Sequence, residues 1–244
     1  MKHPVQFFAA LFLVFPFFTS CFFSGKPIYG NHQLVNQRID IDNYESVVLK
    51  IPGEVYYQQF SDSAPYLQIH TDENIIKSLD VKVENNQLVI EVKKDSIIRP
   101  SELVIYTSSH ELSQAEITGS CKFHLNGEVN AKDLKMNITG SGKILADSLL
   151  CNNFTVEITG SGDVQLTGAC NQSSYSITGS GNIHAFNFLV QELSCRITGA
   201  GNIEAAVTKK LDVNLTGAGN ISYHGSPQSI NQKITGSGKV VSLN

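Results

Sequence analysis

A pentapeptide, Ile-Thr-Gly-Ser-Gly, recurs through the second half of this chain of 244 residues and sets the strongest limit on its fold. Aligned on the threonine, the pentapeptide and its close variants occur seven times, at intervals of 21, 20, 19, 20, 18 and 19 residues. The threonines are Thr118, Thr139, Thr159, Thr178, Thr198, Thr216 and Thr235. Such a short internal period is typical of solenoid proteins, in which each unit is one turn of the chain.

Apolar residues keep fixed positions in this register. The residue before each threonine is isoleucine or, once, leucine, while the residue two places before it is polar or charged, which predicts strands with one buried face. The residue five places after the threonine is always apolar: Phe123, Ile144, Val164, Ile183, Ile203, Ile221 and Val240. Residues 111–244 are therefore predicted to form an all-β solenoid of about seven coils of about 20 residues. A leucine-rich repeat needs a Leu-rich unit with a helical return, and a propeller blade needs about twice this period.

Most glycines belong to the pentapeptides, where they are expected to form the corners between strands, because side chains would obstruct such corners. The corner glycines are Gly119, Gly140, Gly142, Gly160, Gly162, Gly179, Gly181, Gly199, Gly201, Gly217, Gly219, Gly236 and Gly238. In the first unit Cys121 replaces the second glycine, as expected where a regular stack begins. A phosphate-binding loop is the alternative for such a motif, but that loop opens a helix, and each pentapeptide here runs into a β stretch. No nucleotide or other cofactor is expected.

The region of residues 35–110 is also rich in predicted strands but does not carry the pentapeptide. Its clearest element is a hairpin with Asn85 and Asn86 at the turn. Because solenoids need atypical end units to cover the open stack, this region is expected to form irregular coils that cap and extend the solenoid. A separate small β-sandwich is the alternative.

The N-terminus has the pattern of an export signal in residues 1–20, with Lys2 followed by an apolar stretch that is too short to span a bilayer. The sequence Phe-Thr-Ser-Cys that ends at Cys21 resembles the lipobox of bacterial lipoproteins. That resemblance implies a mature N-terminus at Cys21 that carries acyl chains and a tether in residues 21–34. Phe22, rather than Asp, then fits transfer to the outer membrane. The alternative is an ordinary signal peptide with an incidental thiol at Cys21.

Together, the signal, the hairpin-containing β half and the run of ITGSG, ITGAG and LTGAG turns resemble the bacterial putative auto-transporter adhesin family. The resemblance covers about residues 35–244 and rests on the repeated turn and the order of the two halves. It implies that the solenoid is a right-handed, single-stranded parallel β-helix and that the protein is exported. The family supplies no catalytic residues to carry over.

Charged residues argue against two classes of function. The net charge is -4 and no basic run exceeds two residues, so the basic surface needed to bind nucleic acid is missing. Glu116 and Glu157 share a column two coils apart, and Asp163 lies between Lys143 and Asn182, so no catalytic cluster of acids is predicted. His124 and His184 are three coils apart and cannot share a metal ion.

The cysteines follow the same register. Cys151 and Cys170 each lie eight places before a threonine, so they are expected to stack on neighbouring coils within the range of a disulfide, which export would permit. A stacked pair of free thiols is the alternative. Cys121 and Cys195 are expected to be free and structural.

These features lead to the hypothesis of an envelope-anchored, non-enzymatic, adhesin-like lipoprotein whose outward columns bind a surface polymer, such as a glycan, or another protein. Asn182, Asn202 and Asn220 form one such column, although the same residues also fit an amide ladder that stabilises the turns. The alternatives are an envelope scaffold without a specific ligand and a polysaccharide-active β-helix enzyme. The ligand and the oligomeric state do not follow from the sequence.

Overall fold

The computed structural model describes residues 26–243, and their regular secondary structure is β-strand except for one short helix. The predicted signal peptide in residues 1–20 and the predicted lipidation site Cys21 lie outside this range. No helix in the range has the length and apolar character needed to cross a bilayer.

Residues 26–110 contain nine strands and one short helix. Their bounds are β1 Pro27–Tyr29, β2 Leu34–Asp40, β3 Ser46–Lys50, β4 Glu54–Gln59, β5 Tyr66–Asp72, α1 Glu73–Ile76, β6 Leu79–Glu84, β7 Gln87–Val92, β8 Ile97–Arg99 and β9 Leu103–Ser109. The strands of the repeat region are β10 Gln114–Gly119, β11 Lys122–Gly140, β12 Lys143–Gly160, β13 Asp163–Gly179, β14 Asn182–Gly199, β15 Asn202–Gly217, β16 Asn220–His224, β17 Ser229–Gly236 and β18 Lys239–Ser242.

The repeat region is a β-solenoid of about six turns, which confirms the predicted fold class. All seven threonines of the pentapeptides pair in register from coil to coil, and seven stacked corners enclose six turns. The isoleucine before each threonine is buried in the first five units, and every one of these threonines is exposed. The long strands β11 to β15 each follow almost a whole turn and change register at irregularities along the way.

The N-terminal half continues the same stack. Strand β3 pairs in parallel with β10, and β4 pairs in parallel with β11, so that Leu49 lies beside Ile117 and Val55 beside Phe123. Strands β7 and β9 pair in parallel with β3 and β4, and the antiparallel strands β6, β5 and β2 follow. The predicted hairpin is β6–β7, and its two turn asparagines have φ of 52° and 59°. These strands belong to one sixteen-stranded sheet and share a continuous core with the repeat.

The two glycines of each corner have different roles. Gly160 has φ +118°, a conformation that L-residues with side chains rarely adopt, and a Cβ there would lie 2.5 Å from the oxygen of Gly140. Gly162 lacks this unusual φ, but its Cβ would lie 2.7 Å from Cγ2 of Ile138. The first glycine thus permits the turn, and the second leaves space for the buried isoleucine of the coil below.

The backbone of the corners is bonded along the solenoid axis. The amide of Ser161 donates to the oxygen of Gly140 at 2.8 Å, and the amide of Asp163 donates to that of Gly142 at 3.0 Å. The same pair of bonds recurs at the corners above. Since these amides are already satisfied by the previous coil, they do not converge on a phosphate site.

The segment predicted to be a tether belongs to the fold from Pro27 onward. Strand β1 pairs in parallel with β8, and the amide of Gly30 donates to the oxygen of Arg99 at 2.9 Å. The fully buried Asp72 then holds the chain in place, accepting hydrogen bonds from the amide of His32 at 2.8 Å and from both the amide and the hydroxyl of Ser101 at 2.7 Å. The part of the predicted tether from Pro27 onward is therefore attached to the cap, because its backbone groups find hydrogen-bond partners there.

We expect Asp72→Asn to destabilise the protein in a pH-dependent way. Burial raises the pKa of Asp72, but the hydrogen bonds from Ser101 and His32 outweigh it and leave the pKa below its usual value. A lowered pKa in the folded state stabilises the protein above the unfolded-state pKa, and that contribution is lost as the pH falls through the folded-state pKa. The variant, which places an amide group against these donors, should cost about 1–3 kcal/mol at pH 7.

Urea unfolding at pH 7 and at pH 3 would measure this effect, with Asp40→Asn as the control because the Asp40 side chain is 98% exposed. The difference in the free energy of unfolding between wild type and Asp72→Asn should be smaller at pH 3 than at pH 7. Asp40→Asn should have the same free energy of unfolding as wild type at both pH values. A gap that stays constant over this range would contradict the role assigned to the Asp72 carboxylate.

Candidate functional site

Two outward columns run side by side along one face of the solenoid, which we call the ladder face. In the repeat, their positions lie four and six places after the threonine, and β4 and β9 extend them into the cap. The charge column consists of Glu54, Lys122, Lys143, Asp163, Asn182, Asn202, Asn220 and Lys239. The ring column consists of Tyr106, Tyr56, His124, Leu145, Gln165, His184, Glu204, Ser222 and Val241. At about 4.8 Å per coil, the ring column extends about 30 Å from Tyr106 to Glu204.

Three rings stack at the cap end of the ring column. The centroids of Tyr106 and Tyr56 are 5.3 Å apart with planes 21° apart, and those of Tyr56 and His124 are 4.3 Å apart with planes 14° apart. The rings adopt this order because three residues from distant parts of the sequence pair on neighbouring strands. Tyr106 keeps 42% of its surface exposed, so the end of the stack remains open to a ligand.

Glu54 connects this stack to the charge column. It accepts a hydrogen bond from the hydroxyl of Tyr56 at 2.9 Å and pairs with Nζ of Lys122 at 2.6 Å, while Nε2 of His124 lies 3.5 Å away. The bonds from Lys122 and Tyr56 lower the pKa of Glu54, and burial lowers the pKa of His124. At neutral pH the cluster therefore combines an ionised carboxylate, a lysine and a neutral imidazole.

Farther along the ladder face, the charges alternate. Lys143 pairs with Asp163 at 2.9 Å, and the imidazole of His184 lies between two carboxylates, 3.4 Å from Asp163 and 2.8 Å from Glu204. These side chains and Phe186 border an open cavity of about 410 Å³. Each charge here has a partner of opposite sign or an imidazole beside it, so the arrangement stabilises neighbouring coils without leaving a free nucleophile.

The asparagines of the charge column form a hydrogen-bonded ladder. The amide of Asn202 donates to the side-chain oxygen of Asn182 at 2.9 Å, and Asn220 donates to Asn202 at 3.1 Å. Their oxygen and nitrogen atoms are thus partly used between coils. The geometry fits the stabilising interpretation of this column and still leaves its outer edge exposed to solvent.

The other acidic and histidine residues singled out by sequence are dispersed. Glu157 pairs with Lys135 at 3.3 Å, and Asn137 separates it from Glu116 in the parallel register. Two coils, with Leu145 and Gln165, separate His124 from His184 in the ring column. In the described part of the chain, no three His, Cys, Asp or Glu side chains come together in a way that could bind a metal ion.

Cys151 and Cys170 are direct neighbours in the register of β12 and β13, and both are free thiols in the structure. Sγ of Cys170 donates to the backbone oxygen of Gln172 at 3.0 Å, and the neighbouring thiol of Cys170 together with burial raises the pKa of Cys151. Both line an open cavity of about 570 Å³, so solvent reaches the pair. Cys121 and Cys195 are buried free thiols, and burial raises the pKa of Cys121 to about 12.

The disulfide between Cys151 and Cys170 stays a prediction for the exported protein. Oxidation by a thiol–disulfide exchange partner would remove two electrons and two protons from the pair. Alkylation of the unfolded, unreduced protein followed by mass spectrometry should leave Cys151 and Cys170 linked, whereas Cys121 and Cys195 should be alkylated and serve as internal controls. Complete alkylation of all four would show that the pair remains a stack of thiols.

The stacked rings were missed by the sequence analysis because the N-terminal half lacks the pentapeptide that fixes the register. A weaker signal was available. Glu54-Val55-Tyr56-Tyr57 follows Pro52-Gly53 with the same polar–apolar alternation as Lys122-Phe123-His124-Leu125 after the first corner. Aligning the two segments would have placed Tyr56 and His124 in one column.

Comparisons with known proteins agree with this architecture. A family model described as putative auto-transporter adhesin, head GIN domain, matches residues 43–227. A putative adhesin from Bacteroides fragilis NCTC 9343 has a similar structure, with a TM-score of 0.85 and 26% identity over 88% of this chain and 100% of that one. None of the curated proteins matches the chain.

Two further solved structures share the fold. A protein described as a putative lipid binding protein, from Parabacteroides distasonis ATCC 8503, has a TM-score of 0.74 and 29% identity over 90% of this chain and 100% of that one. A putative adhesin from Parabacteroides merdae ATCC 43184 has a TM-score of 0.73 and 26% identity over 89% of this chain and 99% of that one.

Proposed function

Since the chain belongs to the family described as putative auto-transporter adhesin, head GIN domain, we propose that it is an exported, non-enzymatic, adhesin-like protein that binds a surface polymer or another protein through its ladder face. The adhesin names of the B. fragilis and P. merdae structures support this class of function. The proposal goes beyond the family description because it names the ladder face of this chain as the binding surface.

The observation that carries the proposal is the ladder face itself. It is an array of outward-facing rings, carboxylates, lysines and amides that repeats at the spacing of the coils. Every residue of the array is fixed by a strand whose backbone pairs on both sides, up to the last coil. A rigid array loses little conformational entropy when it binds an extended ligand, which favours binding over a long contact.

Binding is tested with the full-length protein immobilised and offered a glycan array and solubilised envelope proteins. A specific partner should be lost on Gln165→Arg, which places a bulky cation in the middle of the ladder face. Gln172→Arg is the matched control, since Gln172 is equally exposed but lies outside both columns. Capture of no glycan and no protein, or equal capture by the two variants, would favour a scaffold without a specific ligand on this face.

Lipid anchoring at Cys21 is the second part of the proposal and is supported by the lipobox-like sequence. Lys26 is the fifth residue after Cys21, so a lipid on Cys21 would hold the cap end of the solenoid within about 17 Å of the membrane surface. The ladder face would then extend away from the outer membrane with its stacked rings nearest the lipid.

Metabolic labelling with a radioactive fatty acid tests the anchor. Label should enter the wild-type protein and not Cys21→Ala, while Cys121→Ala should be labelled like wild type. Sucrose-gradient fractionation of the labelled cells should place the protein with the outer membrane. Equal labelling of wild type and Cys21→Ala would remove the anchor from the proposal, and absence of label from both would indicate an ordinary signal peptide.

The proposed absence of catalysis is also testable. Full-length protein incubated with neutral and acidic polysaccharides should release no shorter products. Turnover that is lost on Asp163→Asn or Glu157→Gln would instead support the enzyme alternative, because these carboxylates are the ones that sequence and structure place on exposed strand positions.

A further inference from the structure

A pocket adjoins the stacked rings at the cap end of the ladder face. It has a volume of about 540 Å³ and lies between the corner at Pro52-Gly53 and the loop at Pro100-Ser101. The rings of Tyr56 and Tyr106 form one side of the pocket. Val104 also lines it and lies between Glu54 of β4 and His70 of β5 in the sheet. This volume is within the range of small-molecule sites in proteins, which is about 300–1,000 Å³.

The lining of the pocket combines rigid apolar surface with oxygen acceptors. The two prolines and the two tyrosines provide apolar groups that lose little conformational freedom when a ligand binds. The carboxylates of Glu54 and Glu102 provide strong hydrogen-bond acceptors, and the side chain of Glu102 is 49% exposed. The tyrosine hydroxyls can both donate and accept.

The charges of the pocket discriminate between classes of ligand. The charged side chains that line it are the two glutamates, with no lysine or arginine among the lining residues. Lys122 pairs with Glu54 at 2.6 Å, and Nε2 of His70 lies 3.8 Å from Glu102. Phosphates, sulfates and nucleic acids would be repelled. A ligand with many hydroxyl groups can donate to the carboxylates while its C–H groups pack against the rings and prolines.

A sugar ring has this combination of a hydroxylated edge and a C–H face. We propose that the pocket bordered by Tyr56, Tyr106, Glu54 and Glu102 binds a neutral glycan. This inference rests on the proposed function and deepens it, because it names the class of ligand and the end of the ladder face where binding begins. His124 supports the site from below by completing the stack on Tyr56.

A second cavity on the same face suits a polymer rather than a single sugar. The cavity beside His184 and Phe186 also combines an aromatic ring with carboxylates. His184 is four coils from Tyr56 in the ring column, or about 19 Å at the strand spacing. A glycan chain that reaches both cavities gains a second contact at high effective concentration, so long chains should bind more tightly than short ones.

Affinity electrophoresis of the full-length protein in native gels tests the proposal. The gels contain yeast mannan, laminarin or arabinogalactan as neutral probes, and heparin as an anionic one. At least one neutral polysaccharide should retard wild type, and Tyr106→Ala should weaken that binding about tenfold, the size expected for loss of one aromatic contact. Tyr29→Ala is the matched control, because Tyr29 is 68% exposed on β1 and lies outside the pocket.

Glu102→Gln provides a second variant that leaves the ring stack intact, and it should also weaken binding to the retarding polysaccharide. Circular dichroism confirms that each variant is folded. Retardation that is unchanged in both Tyr106→Ala and Glu102→Gln would overturn the pocket but leave the proposed function standing. Failure of every neutral polysaccharide, or retardation by heparin alone, would overturn the glycan assignment, and capture of an envelope protein through Gln165 would still support the proposed function.

Discussion

Replacing Gly160 by alanine should destabilise the solenoid far more than the same replacement at Gly119. Both residues have positive φ, +118° and +100°, so both variants place a side chain in a strained backbone conformation that costs about 1–2 kcal/mol. Only at Gly160 would the new Cβ meet the previous coil, 2.5 Å from the oxygen of Gly140, whereas at Gly119 nothing lies within 4 Å. The crowded position adds about 1–3 kcal/mol, because the coils must separate to accept the methyl group.

Urea unfolding followed by circular dichroism would measure the two variants against wild type. Replacing glycine by alanine lowers the conformational entropy of the unfolded chain equally at both positions. This stabilising contribution therefore cancels when the two variants are compared. The remaining difference reports how closely the corners stack. Equal losses for Gly160→Ala and Gly119→Ala would mean that the corner glycines serve only the local turn.

Phe154→Ala is expected to cost about 3–5 kcal/mol, which is a large part of the stability of a typical domain. Phe154 is 1% exposed and packs edge to face against Tyr175 and Phe188, with ring centroids 6.3 Å and 5.6 Å away. Three adjacent coils therefore share this contact. Removing the ring leaves a cavity inside a closed wall of strands, which cannot collapse without breaking their pairing.

Phe186→Ala is the matched control, since Phe186 is only partly buried and its ring faces His224 on the outside of the coil. Thermal and urea unfolding should show a small loss for this variant and a large one for Phe154→Ala. A comparable loss for both would contradict the view that aromatic packing inside the solenoid holds the coils together.

The sequence was most informative where the physical requirement is local. The pentapeptide fixes the length of each coil, and the alternation around it fixes which residues are buried. The register of Cys151 and Cys170 also followed from counting residues, since every coil returns to the same threonine. Counting could not supply the hydrogen-bond partners of the two thiols, such as the backbone oxygen of Gln172 that accepts from Sγ of Cys170 at 3.0 Å.

The ends of the solenoid show the limit of such periodic reasoning. The isoleucine before each threonine is expected to be buried, but Ile234 is 42% exposed, and Ile230 on the same strand is 41% exposed. Strand β17 pairs with β15 and has no second partner among the described residues. At the other end, the cap continues the stack although it lacks the pentapeptide. The hydrophobic core runs without a break across the boundary between the cap and the repeat.

The sequence by itself determined a stack of short coils with glycine corners, because steric limits at the corners and apolar alternation act within about twenty residues. Only the tertiary structure decided that β4 lies between β9 and β11, which brings Tyr106, Tyr56 and His124 into one stack beside a pocket. The choice of neighbouring strands depends on backbone pairing between segments far apart in the chain, and the weak local pattern around Tyr56 in the N-terminal half does not place Tyr106 beside it. The candidate binding site therefore depends on long-range strand pairing, whereas the repeated sequence specifies the solenoid that supports it.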